Sequence, residues 1–268
     1  MVRRRVLVKQ KTFKKKKVCF TFTSQNTGGH TLEKTNQIRN TPTDFHAIQE
    51  NFAKTIREAG KGWEKNKIFL LHQSAKRSNT KYGRPKMGMQ MGVVTQDNVS
   101  HKVLPILARG EAKDRLQAIK LTLHESVTIN WINLYGPNDT QSQTDPHKLL
   151  RSVLKETSKL IHNNPTQEIV VCGDLNWDTT RTNAFTRIMN DWIDKENLVV
   201  LWLKKKKRNL RFVTHTYRIK KRVTKTNVLD HFLISKTLLS SVISCGSISR
   251  KTSPLGHCLI HMTIKTND

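Results

Sequence analysis

Five short polar clusters in this sequence follow or interrupt apolar runs, and their side chains could do chemistry. The clusters are Gln25-Asn26, His72-Gln73-Ser74, Asn133 to Asn138, Gly173 to Asn176 and Gly256-His257. Each lies at or near the end of a segment typical of a strand, where a rigid backbone aims the side chains. Because the edge of a sheet gathers such side chains in a concave surface, we expect them to share one site.

Apart from these five clusters, the polar residue Asp230 lies inside the apolar run Val228 to Ile234. An aspartate at such a position is costly to bury unless it meets a hydrogen-bond donor or a metal. His257 would be a suitable partner. An aspartate–histidine pair fixes the imidazole tautomer and stabilises its protonated form, which suits acid/base catalysis or phosphate binding. A purely structural hydrogen bond explains the same pattern equally well.

The elements that must position these residues are mostly strands. Apolar and β-branched runs predict strands over residues 18–23, 68–71, 91–95, 115–123, 127–134, 168–172, 211–217, 228–235, 242–249 and 258–264. The segment 124–126 is predicted to join two of them as a hairpin loop. Because open α/β sheets carry their chemistry at the carboxyl ends of strands, Asp174 and Asn176 are well placed for a site.

Three segments have the start signals and apolar spacing of amphipathic helices. The first is predicted between residues 41 and 62, with apolar residues at 45, 48, 52 and 56 along one face. The second begins at Asp145-Pro146 and carries a core-facing stripe up to Ile161. The third covers about Asn183 to Lys195, where we expect Trp192 in the core rather than as a platform for stacking bases.

Strands and helices occur in both halves of the chain, with no repeat, low-complexity linker or break that would mark a boundary. We therefore predict one α/β domain over residues 18–268, preceded by a basic, flexible arm at residues 1–17. The four cysteines contain no CxxC pair, which argues against a zinc ribbon.

The balance of charge is extreme. Lysine and arginine number 48 against 20 acidic residues, for a net charge of +28. Such a charge repels itself, and a polyanion that releases its counterions on binding would match it. We expect nucleic acid as the partner, DNA rather than RNA. A solvated basic surface without a specific role is the plain alternative, and an anionic membrane surface is a weaker one.

Lysine and arginine form runs at residues 3–5, 14–17 and 204–208. Each run fits a nuclear-import signal as well as a phosphate-binding patch, and we expect a nuclear protein, otherwise a cytoplasmic one. No stretch reaches the roughly 18 uninterrupted apolar residues that cross a bilayer, so we expect no membrane-spanning segment.

Four of the polar segments, taken in chain order, resemble the motifs of one superfamily. Asn133 to Asn138 (NLYGPN) is similar to N-x-Y-x-P-N, and Gly173 to Asn176 (GDLN) is similar to G-D-x-N. Leu229 to Ile234 (LDHFLI) resembles [IL]-D-[YH]-x-[LF], and Leu255 to Cys258 (LGHC) resembles a degenerate S-D-H box. Between about residues 18 and 264 the chain thus resembles the endonuclease/exonuclease/phosphatase superfamily, which includes apurinic, retroelement and DNase I-like nucleases and inositol phosphatases.

The resemblance implies a DNase I-like four-layer α/β sandwich, in which two mixed β-sheets are flanked by helices. It also implies in-line attack of water on phosphorus, catalysed by positioning and charge neutralisation. By this resemblance Asp174 orients or deprotonates the water and Asn176 holds the scissile phosphate. Tyr135 stabilises the charged transition state, and Asn138 supports its loop.

On the other side of the implied site, His257 contacts the phosphate, oriented by Asp230, and Asn26 lies beside a magnesium ion. Family members place a glutamate at the end of the second strand, in a pattern like Q-E-T, and Gln73 is assigned to that position as a degenerate metal ligand. Gly256 stands where the family has a second metal-linked aspartate. With two carboxylates missing, we expect magnesium binding to be weak or lost. Asp139, Asp178 and Glu50 could in principle compensate, but nothing in their spacing indicates that they do.

Three functions fit these observations. The favoured interpretation is a binding module, a pseudoenzyme that keeps the nuclease fold and a basic groove but has weak or no turnover. The alternative is an active magnesium-dependent endonuclease that cleaves DNA or RNA. An inositol-phosphate phosphatase is disfavoured because basic residues are spread along the whole chain.

Overall fold

Buried strands make up most of the computed structural model. It describes residues 18–28, 43–50, 68–73, 88–94, 98–124, 127–138, 145–166, 168–205, 213–219, 223–248 and 256–266. The strands in these residues are β1 (Val18–Asn26), β2 (Phe45–Gln49), β3 (Ile68–Gln73), β4 (Met89–Val94), β5 (Val99–Val103), β6 (Leu116–Leu123), β7 (Val127–Leu134), β8 (Glu168–Asp174), β9 (Leu198–Val200), β10 (His215–Ile219), β11 (Val223–Asn227), β12 (Asp230–Ser235), β13 (Val242–Ile248), β14 (Gly256–His257) and β15 (Leu259–Thr266). The helices there are α1 (Pro146–Asn163), α2 (Ala184–Lys195) and α3 (Leu201–Lys205), with 3₁₀ turns at Gly110–Arg115 and Thr237–Ser241.

The strands form two six-stranded sheets and one small sheet. The first sheet has the order β13-β15-β1-β2-β4-β3, and the second has the order β5-β6-β7-β8-β12-β9. Each is mixed, because β1 pairs with β2 in parallel and β7 pairs with β8 in parallel, whereas their other pairings are antiparallel. The small sheet has the order β11-β10-β14.

The two large sheets pack face to face over an aromatic core. Phe22 of the first sheet meets Trp131 of the second edge-on, with ring centroids 5.8 Å apart, and Phe45 packs against the same tryptophan. Alternate residues of the second sheet face the other way, onto α1 and α2, where they form a second core with Trp192. This alternation is the period of two that a strand covered on both faces requires.

Both helices that cover the second sheet begin with a side-chain cap, and the one at Asp145 is predicted from the sequence. The Asp145 side chain accepts a hydrogen bond from the His147 N–H at 2.9 Å, and Pro146 occupies the first turn of α1. The Asn183 side chain accepts from the Thr186 N–H at 2.8 Å at the start of α2. Each cap satisfies a backbone donor that has no partner within the helix. These two helix predictions are confirmed, as is the α/β fold with two mixed sheets flanked by helices.

The helix predicted between residues 41 and 62 is wrong in its described part. Residues Phe45–Gln49 form strand β2, and all five are buried. Apolar residues at 45 and 48 fit a helix face, but a strand covered on both sides also contains them, and periodicity cannot separate the two in so short a run. Pairing with β1 on one side and β4 on the other decides for the strand. Residues 51–62 lie outside the described residues.

Smaller differences concern strand ends and short strands. The strand predicted at 211–217 begins at His215, and the one predicted at 228–235 begins at Asp230. The sequence analysis missed β5, β9 and β11, which are short or polar. The arm at residues 1–17 lies outside the described residues and stays a prediction. No helix within the described ranges is long and apolar enough to span a membrane.

Candidate active site

The two parallel strand pairs bring their carboxyl ends to the same place. In the first sheet β1 ends at Asn26, and Glu50 follows β2 directly; in the second sheet Tyr135 follows β7 and β8 ends at Asp174. The Asn26 side chain donates from Nδ2 to Oδ2 of Asp174 at 2.7 Å, which joins the two sheets. The predicted residues Asn26, Tyr135 and Asp174 thus come together at one edge of the sandwich.

Close backbone contact between two loops explains why glycines flank this edge. A Cβ on Gly136 would lie 2.0 Å from the Leu175 carbonyl oxygen, and a Cβ on Gly173 would lie 2.0 Å from that of Leu134. The Gly136 N–H donates to the Asp174 carbonyl at 2.8 Å. The glycines in the NLYGPN and GDLN motifs therefore allow the ends of β7 and β8 to touch.

Asp174 is the most heavily contacted carboxylate of the site, and it is 1% exposed. Its Oδ2 accepts from Asn26, and its Oδ1 accepts from the backbone N–H of Asn176 at 2.9 Å. Burial raises the pKa of Asp174, and the neighbouring Asp230 carboxylate raises it too, whereas His257 opposes the rise. A carboxylate with a raised pKa is a better proton acceptor, which suits a general base.

Asp230 and His257 form a hydrogen-bonded pair. Asp230 lies opposite Asp174 in the β8–β12 ladder and is 0% exposed. His257 Nδ1 lies 2.8 Å from Asp230 Oδ2 and 3.1 Å from Oδ1, and its Nε2 lies 3.6 Å from Asp174 Oδ2. Burial lowers the pKa of His257, but the charges of Asp230 and Asp174 outweigh it and raise the pKa to about 9. His257 is therefore an imidazolium at neutral pH, held between two carboxylates.

The backbone of Asp230 is held by Thr214, which lies just before β10. Thr214 Oγ1 accepts from the Asp230 N–H at 3.0 Å and from the Leu229 N–H at 2.8 Å. The next residue, His215, packs its ring against His257. The small sheet thus contributes Thr214 and His215 to the site, next to the motif residue His257 on β14.

Tyr135 donates from its hydroxyl to Oε1 of Glu50 at 2.6 Å. Burial raises the pKa of Tyr135 well above its ordinary value, and the charges of Glu50 and Asp174 add to the rise. The tyrosine is therefore a neutral hydrogen-bond donor. The Arg115 guanidinium lies 5.1 Å from the centre of the Tyr135 ring. Its Nη1 also donates to the Gly136 carbonyl at 3.1 Å, which holds the loop that follows β7.

The two remaining residues predicted for the phosphate side lie in the loops after β7 and β8. Asn176 donates from Nδ2 to the Gly136 carbonyl at 2.9 Å and has a left-handed backbone, with φ 50°. Asn138 is half-buried three residues after Tyr135. Both lie in the loops that frame Asp174 and Tyr135.

Gln73 is placed differently from the other predicted residues. It ends β3, and its Nε2 donates to Asp114 Oδ1 at 3.1 Å. The assignment of Gln73 to the family's glutamate position depends on residues 68–71 being the second strand. In the structure they belong to the third strand, β3, so this strand count is wrong. The second strand ends at Gln49 and continues into Glu50, which fits the Q-E of the family pattern. From the sequence Glu50 is only one of three acidic residues that could compensate for the missing carboxylates, because the predicted helix hides its place at the end of a strand; the structure brings it to Tyr135.

Gly256 is the other position where a carboxylate was expected and is not present. It lies beside His257 with φ +92°, and a Cβ built there would meet nothing within 4 Å. The space beside His257 is therefore open, but the backbone at Gly256 has a conformation that side chains other than glycine rarely adopt.

One group of three residues has ligand atoms close enough to hold a cation, and Glu50 and Asn26 offer further oxygens at the same edge of the sandwich. Ligand atoms of Asp174, Asp230 and His257 lie within 4.8 Å of one another, but His257 Nδ1 is already hydrogen-bonded to Asp230. A hard cation such as magnesium prefers oxygen ligands. Glu50 offers a carboxylate and Asn26 offers an amide oxygen, which accepts from the Gly28 N–H and keeps a second lone pair. The oxygen set fits a hard cation better.

Comparisons with known proteins agree on the fold. No family model matches the chain, and no curated protein does. Among solved structures, the AP endonuclease LMAP from Leishmania major superposes with a TM-score of 0.71 at 16% identity, over 93% of this chain and 88% of that one. The endonuclease domain of TRAS1, a telomere-specific non-LTR retrotransposon, superposes with a TM-score of 0.64 at 11% identity, over 93% of this chain and 100% of that one.

A third similar structure is a variant of the 3' phosphatase NExo from Neisseria bound to product DNA hairpin. Its TM-score is 0.67 at 13% identity, over 91% of this chain and 98% of that one. At such identities the likeness establishes the fold alone. The chain has the DNase I-like α/β-sandwich fold, as the resemblance of its motifs implies.

Proposed function

We propose that this chain is a metal-dependent phosphodiesterase that cleaves nucleic acid, DNA rather than RNA. The observation that carries the proposal is the 2.6 Å contact between Tyr135 and Glu50. It brings a carboxylate from the end of the second strand to the residues of the phosphate side, where the sequence analysis expected an uncharged Gln73. One of the two reasons for a pseudoenzyme is thereby removed.

Each side chain then has a role that its surroundings support. Asp174 accepts a proton from the attacking water, whose oxygen forms a bond to phosphorus as the opposite P–O bond breaks. His257 neutralises a non-bridging phosphate oxygen as an imidazolium, and Asp230 orients the ring and stabilises its charge. Tyr135 would turn its single hydroxyl proton from Glu50 to the oxygen on which negative charge develops.

The two asparagines after the strands orient the phosphate and the loop. Asn176 lies beside Asp174, with which its backbone N–H is hydrogen-bonded, so that it can present its side chain to the phosphate that the water attacks. Asn138 supports the loop that carries Tyr135. Positioning of this kind supplies much of the catalysis when a reaction is an in-line displacement.

A hard divalent cation, which we propose to be magnesium, would be held by Glu50 and Asn26. Bound there, it would neutralise charge on the phosphate. Because Gly256 provides no carboxylate, the affinity for the cation is expected to be lower than that of a site with both acidic residues.

A binding module without turnover is the second candidate, and Gly256 is the observation that favours it. The net charge of +28 supports nucleic-acid binding under either function. A nucleic-acid substrate and the basic runs also favour the nucleus over the cytoplasm as the place of action, which import of a fluorescent fusion with and without residues 204–208 would test.

Nicking of supercoiled plasmid separates the two candidates. We expect the purified protein to nick plasmid in magnesium, to stop when the cation is chelated, and to lose the activity in Asp174→Asn. If the wild type and Asp174→Asn nick equally slowly while both bind DNA, the chain is a binding module.

A further inference from the structure

The small sheet places a second histidine ring on the face of His257. In the antiparallel β10–β14 ladder His215 is directly opposite His257, so that both side chains project from the same side. Their ring centroids are 4.4 Å apart and the planes are inclined by 43°. This geometry is a tilted ring contact, at a separation close to that at which aromatic pairs attract.

We propose that His215 is a positioning residue, whose ring fixes the plane of the His257 imidazole so that Nε2 stays directed at the edge of Asp174 where phosphate binds. This inference rests on the proposed function and adds to it a residue outside every motif. His215 acts through His257 and does not itself contact the reacting atoms.

The hydrogen bond to Asp230 is not sufficient to define the ring. It holds Nδ1 at 2.8 Å from Oδ2 and 3.1 Å from Oδ1, and the tilt of the ring plane is then limited only by the bond to Cβ and by the broad angular range of a hydrogen bond. The 3.6 Å distance from Nε2 to Asp174 is too long to fix the opposite corner. A packing partner on the ring face is therefore needed to keep Nε2 in place, and His215 supplies one.

The backbone around His215 makes its position rigid. The Thr214 hydroxyl accepts the N–H of Asp230, and the Thr214 carbonyl accepts the N–H of Cys258 at 2.6 Å. Thr214, the residue before His215, therefore holds the backbone at Asp230 and at Cys258, the residue after His257. A shift of His215 would move the ring and its orienting carboxylate together.

Charge supports the same role. The groups that act on His215 are the His257 cation and the Asp174 carboxylate; burial and His257 lower the pKa of His215 to about 4, against a smaller opposing effect of Asp174. His215 is thus neutral where His257 is charged. An uncharged aromatic face can lie against an imidazolium, whereas a second cation would repel it.

The test compares His215→Ala and His215→Phe with a control histidine. His101 is also partly buried, packs on the ring of Phe69 with centroids 4.2 Å apart, and lies on β5, the far edge of the second sheet. We expect His215→Ala to lower kcat on DNA by about tenfold or more with little change in KM, as a small misplacement of a phosphate-binding group does. His215→Phe keeps a ring and should retain most of kcat, and His101→Ala should leave kcat unchanged.

A readout that needs no cleavage accompanies the kinetics. In ¹⁵N-labelled protein without substrate, the Nδ1 and Nε2 resonances of His257 should indicate one fixed protonated ring in the wild type and in His215→Phe, and should broaden or shift in His215→Ala. Equal kcat for His215→Ala and His101→Ala, or a His257 spectrum that His215→Ala leaves unchanged, would overturn the proposal. If the wild type does not cleave but the spectrum changes as expected, the proposed function fails and the positioning role stands.

Discussion

The hydroxyl of Tyr135 donates to the carboxylate of Glu50 across 2.6 Å and thereby joins the end of β7 in the second sheet to the residue after β2 in the first. Glu50 has a left-handed backbone, with φ 51°, and the Thr27 hydroxyl donates to its carbonyl at 3.0 Å. The chain thus turns sharply after β2 and is held there. Its carboxylate reaches the residues that the motifs identify.

Glu50→Gln should weaken magnesium-dependent nicking, because the substitution removes the negative charge but keeps the shape and one oxygen. We expect the magnesium concentration for half-maximal rate to rise by roughly an order of magnitude. The measurement is a magnesium titration of plasmid nicking. Gln73→Glu is the matched control, and it should not raise the rate, since Gln73 contacts Asp114 at the end of β3. A gain from Gln73→Glu with no loss from Glu50→Gln would return the glutamate position to Gln73.

Asp174→Asn should lower the rate of nicking by at least about 10²-fold, the usual contribution of a general base. The amide keeps an oxygen for the Asn176 N–H but turns an NH2 toward the Nδ2 donor of Asn26, so we expect some loss of stability with the fold and DNA affinity preserved. Asp178→Asn is the control in the same loop, where Asp178 accepts from Thr180 and not from the site. Circular dichroism and DNA binding verify both variants. Comparable loss of rate in both would indicate a loop defect instead of a lost base.

The stability contributed by His257 should depend on pH. Its pKa is raised from 6.5 to about 9 in the folded protein, so the contribution is complete below pH 6.5 and is lost as the pH rises through about 9. Urea unfolding of the wild type and of His257→Gln at pH 6, 8 and 10 measures it. The difference in unfolding free energy between the two proteins should shrink toward pH 10. A difference that grows with pH would show that His257 is buried as a neutral ring.

Gly256→Asp should lower stability by about 1–3 kcal/mol, because φ +92° is a strained conformation for a side-chain-bearing residue. The cost should come from the backbone, since the side chain meets open space. Gly110→Asp is the control, with φ +62° and open space but no place beside His257. Thermal unfolding and a magnesium titration are read together. Tighter magnesium dependence without loss of stability would mean that the backbone at Gly256 relaxes.

Binding to duplex DNA should weaken steeply with salt, by about 10³-fold between 50 and 200 mM if six or more phosphates are contacted. The catalytically silent Asp174→Asn protein allows the measurement in magnesium by fluorescence anisotropy. The same titration on RNA of equal length tests the preference for DNA. Affinity that does not change with salt would contradict an electrostatic partner for the +28 charge.

Much of the fold could be predicted because its signals are local. The Asp145 and Asn183 caps and the apolar stripes set the two long helices within the described residues. The apolar run before Asp174 predicts the central strand β8. The error at β2 has a physical cause. Apolar side chains at 45 and 48 fit one face of a helix, and they fit a short strand buried on both faces equally well.

The sequence by itself determined the superfamily motifs, the basic character and the side chains available for phosphate chemistry. Only the tertiary structure decided which of them meet. Glu50 takes the place assigned to Gln73 because β2 pairs in parallel with β1 and ends beside Asn26, a choice made by sheet pairing. His215 joins His257 because β10 pairs with β14. Such contacts link residues far apart in the chain, and their free energy depends on partners that no local pattern contains.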